Sequence, residues 1–136
     1  MSPTRLFLVR HGATTLSAED AFAGATDVEL SAEGESQAAR LGERLAAEPL
    51  AAVYCSPMRR TVATARIVAG PGRADPILRS GLREMHHGRW ERLTRSEVEA
   101  RFPDEYWAWE ADPFRLRPTN GDASIQRGGL SLAARW

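Results

Sequence analysis

Side chains that could carry out phosphoryl chemistry occur at three points of the sequence. Arg10 and His11 stand at the end of an apolar run, Arg59 and Arg60 follow a second apolar run, and Glu84 follows a short third one. Two guanidinium groups can hold the oxygens of a phosphate dianion, and their positive charge keeps a nearby imidazole neutral and nucleophilic. A carboxyl with a raised pKa could protonate the leaving oxygen and later accept a proton from water. These residues predict an anion site in which His11 attacks phosphorus and which requires no metal.

The elements that must position these side chains follow from the apolar runs. Three short runs predict strands: residues 5–10 (RLFLVR, read as a buried central strand), 50–55 (LAAVYC) and 76–78. Between the first two, Ser31 begins an amphipathic helix over about 31–48, which Pro49 prevents from continuing. This order is typical of parallel βαβ units, in which ligands bind at the carboxyl ends of the strands. The three groups of candidate side chains are therefore expected in one crevice.

Further helices complete the predicted architecture. Ser56 and Pro57 are typical of the N-cap and first residue of a helix that ends at Gly70. The later helices are predicted over residues 94–102, after a capping box, and 104–111, after Pro103, and residues 128–136 could begin another. Together the elements predict an α/β fold of three layers, α/β/α, around a mainly parallel sheet. Residues 1–136 are expected to form a single domain.

The composition excludes several classes of function. Basic and acidic residues number 18 each, so no excess charge attracts the chain to nucleic acid or to an anionic membrane. Every basic residue is arginine, which excludes a Walker-type phosphate loop and Schiff-base chemistry. The single cysteine, Cys55, cannot form an internal disulfide and is expected to be a small core residue. With no apolar stretch long enough for a signal peptide or a membrane span, the chain is expected in the cytoplasm.

Four sequence blocks, in the same order, resemble the histidine phosphatases and cofactor-dependent phosphoglycerate mutases. They are Arg10-His11-Gly12, the segment from Phe22 to Ala38 that includes Gly24, Ser31, Gly34 and Gln37, the segment Ser56–Ala65, and Leu82–Glu91 with Gly88 and Trp90. The blocks cover about residues 5–112, so the resemblance is far more specific than a short motif alone.

The resemblance implies a role for each candidate residue. His11 would become phosphorylated, and Arg10 and Arg60 would bind the transferring phosphoryl group. Glu84 would be the proton donor. In addition, Thr14 would line the phosphate pocket and Gly24 the substrate loop. The implied function is hydrolysis of a small phosphorylated metabolite through a phosphohistidine, with no cofactor, and mutase-type phosphoryl transfer is the alternative.

The sequence also departs from the family pattern. The family carries a second histidine on a later strand, and no histidine follows His87. Residues 118–122 only loosely resemble the loop that precedes that strand, and Arg92 replaces an expected glycine. The C-terminal part of the fold is therefore expected to be missing. The alternatives are an inactive remnant, a phosphate-binding module, or a chain that does not fold alone, and the exposed sheet edge could support a homo-oligomer.

Several other residues favour structural interpretations. Arg59 is expected to solvate a helix face. Neighbouring histidines in an extended chain point in opposite directions, so His86 and His87 do not predict a metal site, although one of them could partly replace the missing histidine. The tryptophans at 90, 107 and 109 are expected to pack helices or cover the substrate rather than to stack on bases.

Overall fold

A computed structural model describes residues 3–122 of the chain. Its helices and strands, in chain order, are α1 (Thr15–Ala18), α2 (Ala32–Leu45), β1 (Tyr54–Cys55), α3 (Arg59–Ala69), β2 (Ile77–Leu78), α4 (Arg95–Arg101) and α5 (Pro103–Ala111). Two short 3₁₀ turns occupy Ser80–Leu82 and Gly88–Trp90. Among these residues no helix combines the length and the apolar character needed to cross a bilayer. The helix start predicted at 128–136 lies outside the described residues.

The two strands form a parallel pair joined by α3. Tyr54 lies opposite Ile77 and Cys55 opposite Leu78. Bonds from the Ile77 amide to the Val53 carbonyl and from the Arg79 amide to the Cys55 carbonyl, both 2.8 Å long, complete the ladder. A parallel pair with a helical crossover confirms the predicted α/β class. The strands predicted at 50–55 and 76–78 are present in shorter form.

The apolar run at residues 5–10 is not a buried strand, so that prediction is wrong. Leu6 is 79% exposed and Leu8 66% exposed, and among residues 3–122 no backbone hydrogen bond joins this run to another strand. A central strand is buried only when a neighbour pairs with each of its edges. Within the described residues the run instead lies beside Leu41 and Leu45 of α2. Arg5 forms an ion pair at 3.0 Å with Glu48, which follows that helix.

Helices α2 and α3 pack against each other. Ser31 caps α2 by accepting a hydrogen bond from the Gly34 amide, as the sequence predicts. Ala38 and Leu45 of α2 meet Val68 of α3 in a buried cluster, so the predicted apolar face is confirmed. The helix ends at Leu45, slightly earlier than expected, and Gly70 terminates α3 in a left-handed conformation as predicted.

The start of α3 differs from the prediction. The helix begins at Arg59, with Met58 rather than Ser56 at the N-cap. The Ser56 hydroxyl is bonded to the Thr61 hydroxyl at 2.7 Å and is not available for capping. Instead, the carboxylate of Asp27 accepts a hydrogen bond of 2.8 Å from the Arg59 amide. A side chain distant in the sequence therefore replaces the local cap.

A second core is built from aromatic side chains. Trp90 and Val98 are completely buried and pack with Phe22 and Tyr106. The capping box predicted at Thr94 is present at the start of α4. The expected packing role is confirmed for Trp90 and Trp109, whereas Trp107 is 58% exposed. This core fixes the segment after Glu84 against the loop that contains Phe22.

Candidate active site

The loop that carries His11, residues 10–14, is held by the first residues of α2. The Ala13 amide donates to the side-chain oxygen of Gln37 at 2.9 Å. The Ala13 carbonyl accepts from the amide and the hydroxyl of Ser31, at 2.9 and 3.1 Å. The backbone of the loop is therefore tied to α2 by side chains of the motif that surrounds Gly34.

Two glycines allow the loop and α2 to touch. A Cβ on Gly12 would lie 2.9 Å from the Cα of Gly34, and a Cβ on Gly34 would lie 2.7 Å from the Ala13 amide nitrogen. Real side chains do not approach backbone so closely, so larger residues at either position would separate the helix from the loop. The two glycines, which stand in different sequence blocks, thus allow the two backbones to come into close contact.

Helix α3 holds the same loop from another side. The Gly12 amide donates to the Thr64 hydroxyl at 3.1 Å, and that hydroxyl donates to the Arg60 carbonyl at 2.8 Å. Thr64 is buried, with 4% of its surface exposed. The hydroxyl therefore satisfies a buried amide next to His11.

Replacement of Thr64 by valine tests this support. Valine has nearly the same shape but cannot accept a hydrogen bond, so the Gly12 amide would remain buried without a partner. We expect the free energy of unfolding to fall by about 1–3 kcal/mol, measured by urea denaturation. Thr4→Val, at an exposed position, serves as the control and should leave stability nearly unchanged. Equal stability of the two variants would show that Thr64 does not support the loop.

The imidazole of His11 is oriented by its own loop. Its Nδ1 lies 2.8 Å from the Gly12 carbonyl oxygen. Because a carbonyl oxygen can only accept, Nδ1 carries the hydrogen and Nε2 keeps a free lone pair. Burial lowers the pKa of His11, the bond to Gly12 opposes this shift, and the positive charges of Arg60 and Arg10 lower the pKa further. The ring is thus held neutral, with Nε2 available as a nucleophile.

The lowered pKa of His11 has a measurable consequence. A histidine whose pKa is below its ordinary 6.5 stays neutral as the pH falls through 6.5 and becomes protonated only at more acidic pH. We expect an NMR titration of the His11 ring to show a midpoint below 6.5. In Arg10→Ala the midpoint should move upward, because one positive charge is removed. A midpoint at or above 6.5 in the unsubstituted chain would show that burial and the two arginines do not lower the pKa of His11.

Arg60 lies beside His11 at the start of α3. It is only 2% exposed, and its two terminal nitrogens donate to the carbonyl oxygens of Thr26 and Gly24, at 2.8 and 2.6 Å. Its Nε is buried and has no protein partner. Burial lowers the pKa of Arg60, and the nearby carboxylates of Glu84 and Asp27 oppose that shift. The guanidinium is therefore fixed in place by the two carbonyls, and its Nε–H has no acceptor among the described residues.

Arg10 and Glu84 complete the charged site. Both are exposed, and the charges of both act on the His11 ring. Glu84 follows the 3₁₀ turn at Ser80–Leu82, and one of its oxygens accepts from the Met85 amide at 2.9 Å. The structure therefore brings Arg10, His11, Arg60 and Glu84 within electrostatic range of one another. Their individual roles in catalysis remain predictions.

The two remaining candidates are buried parts of the surrounding loops. Thr14 is 1% exposed, and its hydroxyl caps α1 by accepting from the Ser17 amide. Gly24 is buried, with a positive φ of 38°, and its carbonyl receives Arg60. Gly24 thus lies next to the charged site. The hydroxyl of Thr14 is engaged by its own helix, and the phosphate-binding role of Thr14 stays a prediction.

The two later histidines differ in environment. His86 is exposed, whereas His87 is partly buried with its ring centroid 4.9 Å from that of Phe22. Burial lowers the pKa of His87. No group of three potential metal ligands occurs in the part of the chain that the structure describes. The environment of His87 is that of an aromatic core residue.

These features define an α/β protein in which the charges of two arginines and a glutamate act on one partly buried histidine. The sequence matches the histidine phosphatase superfamily (branch 1) over residues 6–127, and the chain belongs to this family. The resemblance found in the four sequence blocks is thereby confirmed.

Individual relatives include phosphatases and mutases. The chain is 29% identical to phosphoserine phosphatase 1 of Hydrogenobacter thermophilus, over 88% of this chain and 56% of that protein. It is 36% identical to a 2,3-bisphosphoglycerate-dependent phosphoglycerate mutase of Corynebacterium diphtheriae, over 80% of this chain and 46% of that protein. The crystal structure of the alpha-ribazole phosphatase from Shigella flexneri superposes with a TM-score of 0.79, at 30% identity, over 88% of this chain and 60% of that one. The chain thus spans about half the length of the curated relatives it matches.

Sequence reasoning named the reacting groups but gave no role to the residues that hold them. Gln37, Thr64 and Glu91 all stand in the matched sequence blocks, and each accepts hydrogen bonds from loop backbone near the site. Their presence in those blocks was the available signal. Their contacts cross long stretches of sequence, so only the folded chain reveals what they bind.

Proposed function

We propose that the chain is a phosphomonoester hydrolase that works through a phosphohistidine at His11. The observation that carries this proposal is the state of the imidazole, which is neutral, fixed by the Gly12 carbonyl through Nδ1, and flanked by two arginines. A free lone pair at Nε2 beside positive charge suits attack on a phosphoryl dianion.

The proposed reaction has two steps. In the first, Nε2 of His11 forms a bond to phosphorus as the bond from phosphorus to the leaving oxygen breaks, and protonated Glu84 gives its proton to that oxygen. In the second, Glu84 takes a proton from water, the oxygen of which attacks phosphorus. The N–P bond breaks, and its electron pair returns to Nε2. Arg10 and Arg60 would hold phosphoryl oxygens throughout.

The proposed substrate is a small phosphorylated metabolite. The relatives named above act on phosphoserine, on alpha-ribazole phosphate and on phosphoglycerates, judging by their names, and all of these are small monoesters. Hydrolysis needs only water as the acceptor, whereas a mutase must also hold a second phosphorylation site on the substrate. Arg10, His11, Arg60 and Glu84 supply the groups that hydrolysis requires, and we therefore favour the phosphatase.

A phosphate-binding module without turnover is the second candidate. Three histidines occur in the chain, at positions 11, 86 and 87, and the charges of Arg10 and Arg60 act on His11. Loss of one preorganised group that stabilises transition-state charge typically costs about 10²–10³ in rate. A site with one such histidine could bind the anion while its turnover falls below detection.

One pair of measurements separates these candidates. Hydrolysis of p-nitrophenyl phosphate is followed without added metal, and binding of vanadate to the same protein is followed by NMR. Turnover together with vanadate binding supports the hydrolase. Vanadate binding without turnover supports the binding module. A folded chain that neither hydrolyses the substrate nor binds vanadate would contradict both candidate functions.

The surroundings of the protein are also proposals. The absence of a charge excess and the single buried cysteine, Cys55, are compatible with a reducing cytoplasm and with no nucleic-acid partner. Within residues 3–122, β1 has a strand neighbour on one edge only, and Tyr54 is 54% exposed. Self-association through that edge would cover it.

A further inference from the structure

Glu91 is a charged residue that the proposed reaction does not use. It is partly buried, and it lies behind the loop of residues 23–27, which we call the Gly24 loop. Its carboxylate accepts hydrogen bonds from the amides of Ala25 and Thr26, at 3.1 and 2.9 Å, and from the Thr26 hydroxyl. A single side chain thus satisfies three donors of one loop.

Arg60 holds the same loop from the opposite side. It donates to the carbonyl oxygens of Gly24 and Thr26. The Glu91 carboxylate therefore binds the N–H and O–H groups of the Gly24 loop, and the Arg60 guanidinium binds its carbonyl oxygens. Thr26 is bonded by both residues. The positions of Arg60 and Glu91 are therefore coupled through the peptide groups of the loop.

Glu91 also connects the loop to the segment that carries Glu84. One of its oxygens accepts from the His87 amide at 2.8 Å. At Gly24, a Cβ would lie 2.5 Å from the Met85 carbonyl oxygen, so the absence of a side chain lets the two segments touch. The carboxylate therefore fixes the distance between the two sides of the site.

Loss of the Glu91 carboxylate is expected to disturb the hydrogen bonds of Arg60 strongly. A buried guanidinium requires partners for its donors, and misplacement of the Gly24 and Thr26 carbonyls would leave it without them. The negative charge of Glu91 also acts directly on Arg60. Hydrogen bonds to a carboxylate are stronger than those between neutral groups, so the loop is well restrained while Glu91 is ionised.

We propose that Glu91 is a positioning residue of the anion site: by anchoring the Gly24 loop it keeps the Arg60 guanidinium in place beside His11. This proposal rests on the proposed function, since it assumes that the site binds a phosphoryl anion. Glu91 contacts neither substrate nor reacting atoms in this scheme, and its effect passes through Arg60.

The test compares Glu91→Ala and Glu91→Gln with Glu99→Ala, which removes an exposed carboxylate from α4. The measured quantity is the dissociation constant of vanadate, and we expect Glu91→Ala to raise it about tenfold, equivalent to about 1.4 kcal/mol. Glu91→Gln retains one acceptor oxygen and should show a smaller increase. Glu99→Ala should bind as the unsubstituted chain does.

A double-mutant cycle distinguishes positioning from general loss of structure. If Glu91 acts through Arg60, Glu91→Ala should weaken vanadate binding little further in a chain that already carries Arg60→Lys. Additive effects would overturn the proposal, as would unchanged affinity in Glu91→Ala. Should Glu91→Ala not fold, the same comparison is made with Glu91→Gln. If the unsubstituted chain does not bind vanadate, the proposed function fails and this inference fails with it, whereas failure of the inference alone leaves vanadate binding intact.

Discussion

Replacement of His11 by alanine is expected to abolish hydrolysis of p-nitrophenyl phosphate, with a fall of at least about 10³-fold. No other described residue combines a free imidazole lone pair with two flanking arginines, because His86 is exposed and His87 is packed on Phe22. Stability should change little, since the ring makes its hydrogen bond within its own loop. The measurement is the initial rate, together with a thermal unfolding curve of each protein.

His86→Ala provides the matched control, because it removes an exposed histidine. It should retain the activity of the unsubstituted chain. If the His11 variant and the unsubstituted chain hydrolyse the substrate at the same measurable rate, His11 is not the nucleophile. If neither protein turns over substrate while both fold and the unsubstituted chain binds vanadate, the phosphate-binding module is the correct function.

Replacement of Arg60 by alanine is expected to impair both activity and folding. Loss of one charged donor to the transition state typically costs about 10²–10³ in rate. The change also removes the partners of the Gly24 and Thr26 carbonyls, so the free energy of unfolding should fall by about 1–3 kcal/mol for each carbonyl left without a partner. Rates and urea denaturation report the two effects separately.

Arg59 supplies an internal control for this prediction. It is the preceding residue of the same helix, but its side chain is 61% exposed and pairs with Glu29 at the surface. Exposed ion pairs contribute about 0–1 kcal/mol, so Arg59→Ala should change stability and vanadate affinity little. This agrees with the expectation that Arg59 solvates a helix face. Similar losses in the two variants would indicate a general effect of positive charge rather than the specific geometry of Arg60.

Many residues of the sequence blocks position the site and do not react. Ser31, Gln37 and Thr64 bind the backbone of the His11 loop, and Glu91 binds the Gly24 loop. Both loops contain buried amide and carbonyl groups that need a partner within the protein. Binding those groups with side chains fixes the loops while leaving the reactive atoms accessible, as a preorganised site requires.

The sequence by itself determined the local elements. Ser31 as a helix cap, the capping box at Thr94 and the ending of α3 at Gly70 all depend on residues a few positions apart, and each is present in the structure. The motifs also identified the family, whereas the reacting residues that they predict stay a prediction. These features could be predicted because helical periodicity and capping are decided within one or two turns.

Only the tertiary structure decided which distant groups meet. The Gly12 amide reaches Thr64 across 52 positions, and the Thr26 amide reaches Glu91 across 65. The same reason explains the two errors: α3 begins later than predicted because the cap comes from Asp27, and the run at 5–10 is exposed because no described strand pairs with it. Apolar character shows that a segment can be buried, but burial itself depends on a neighbour that the local pattern does not contain.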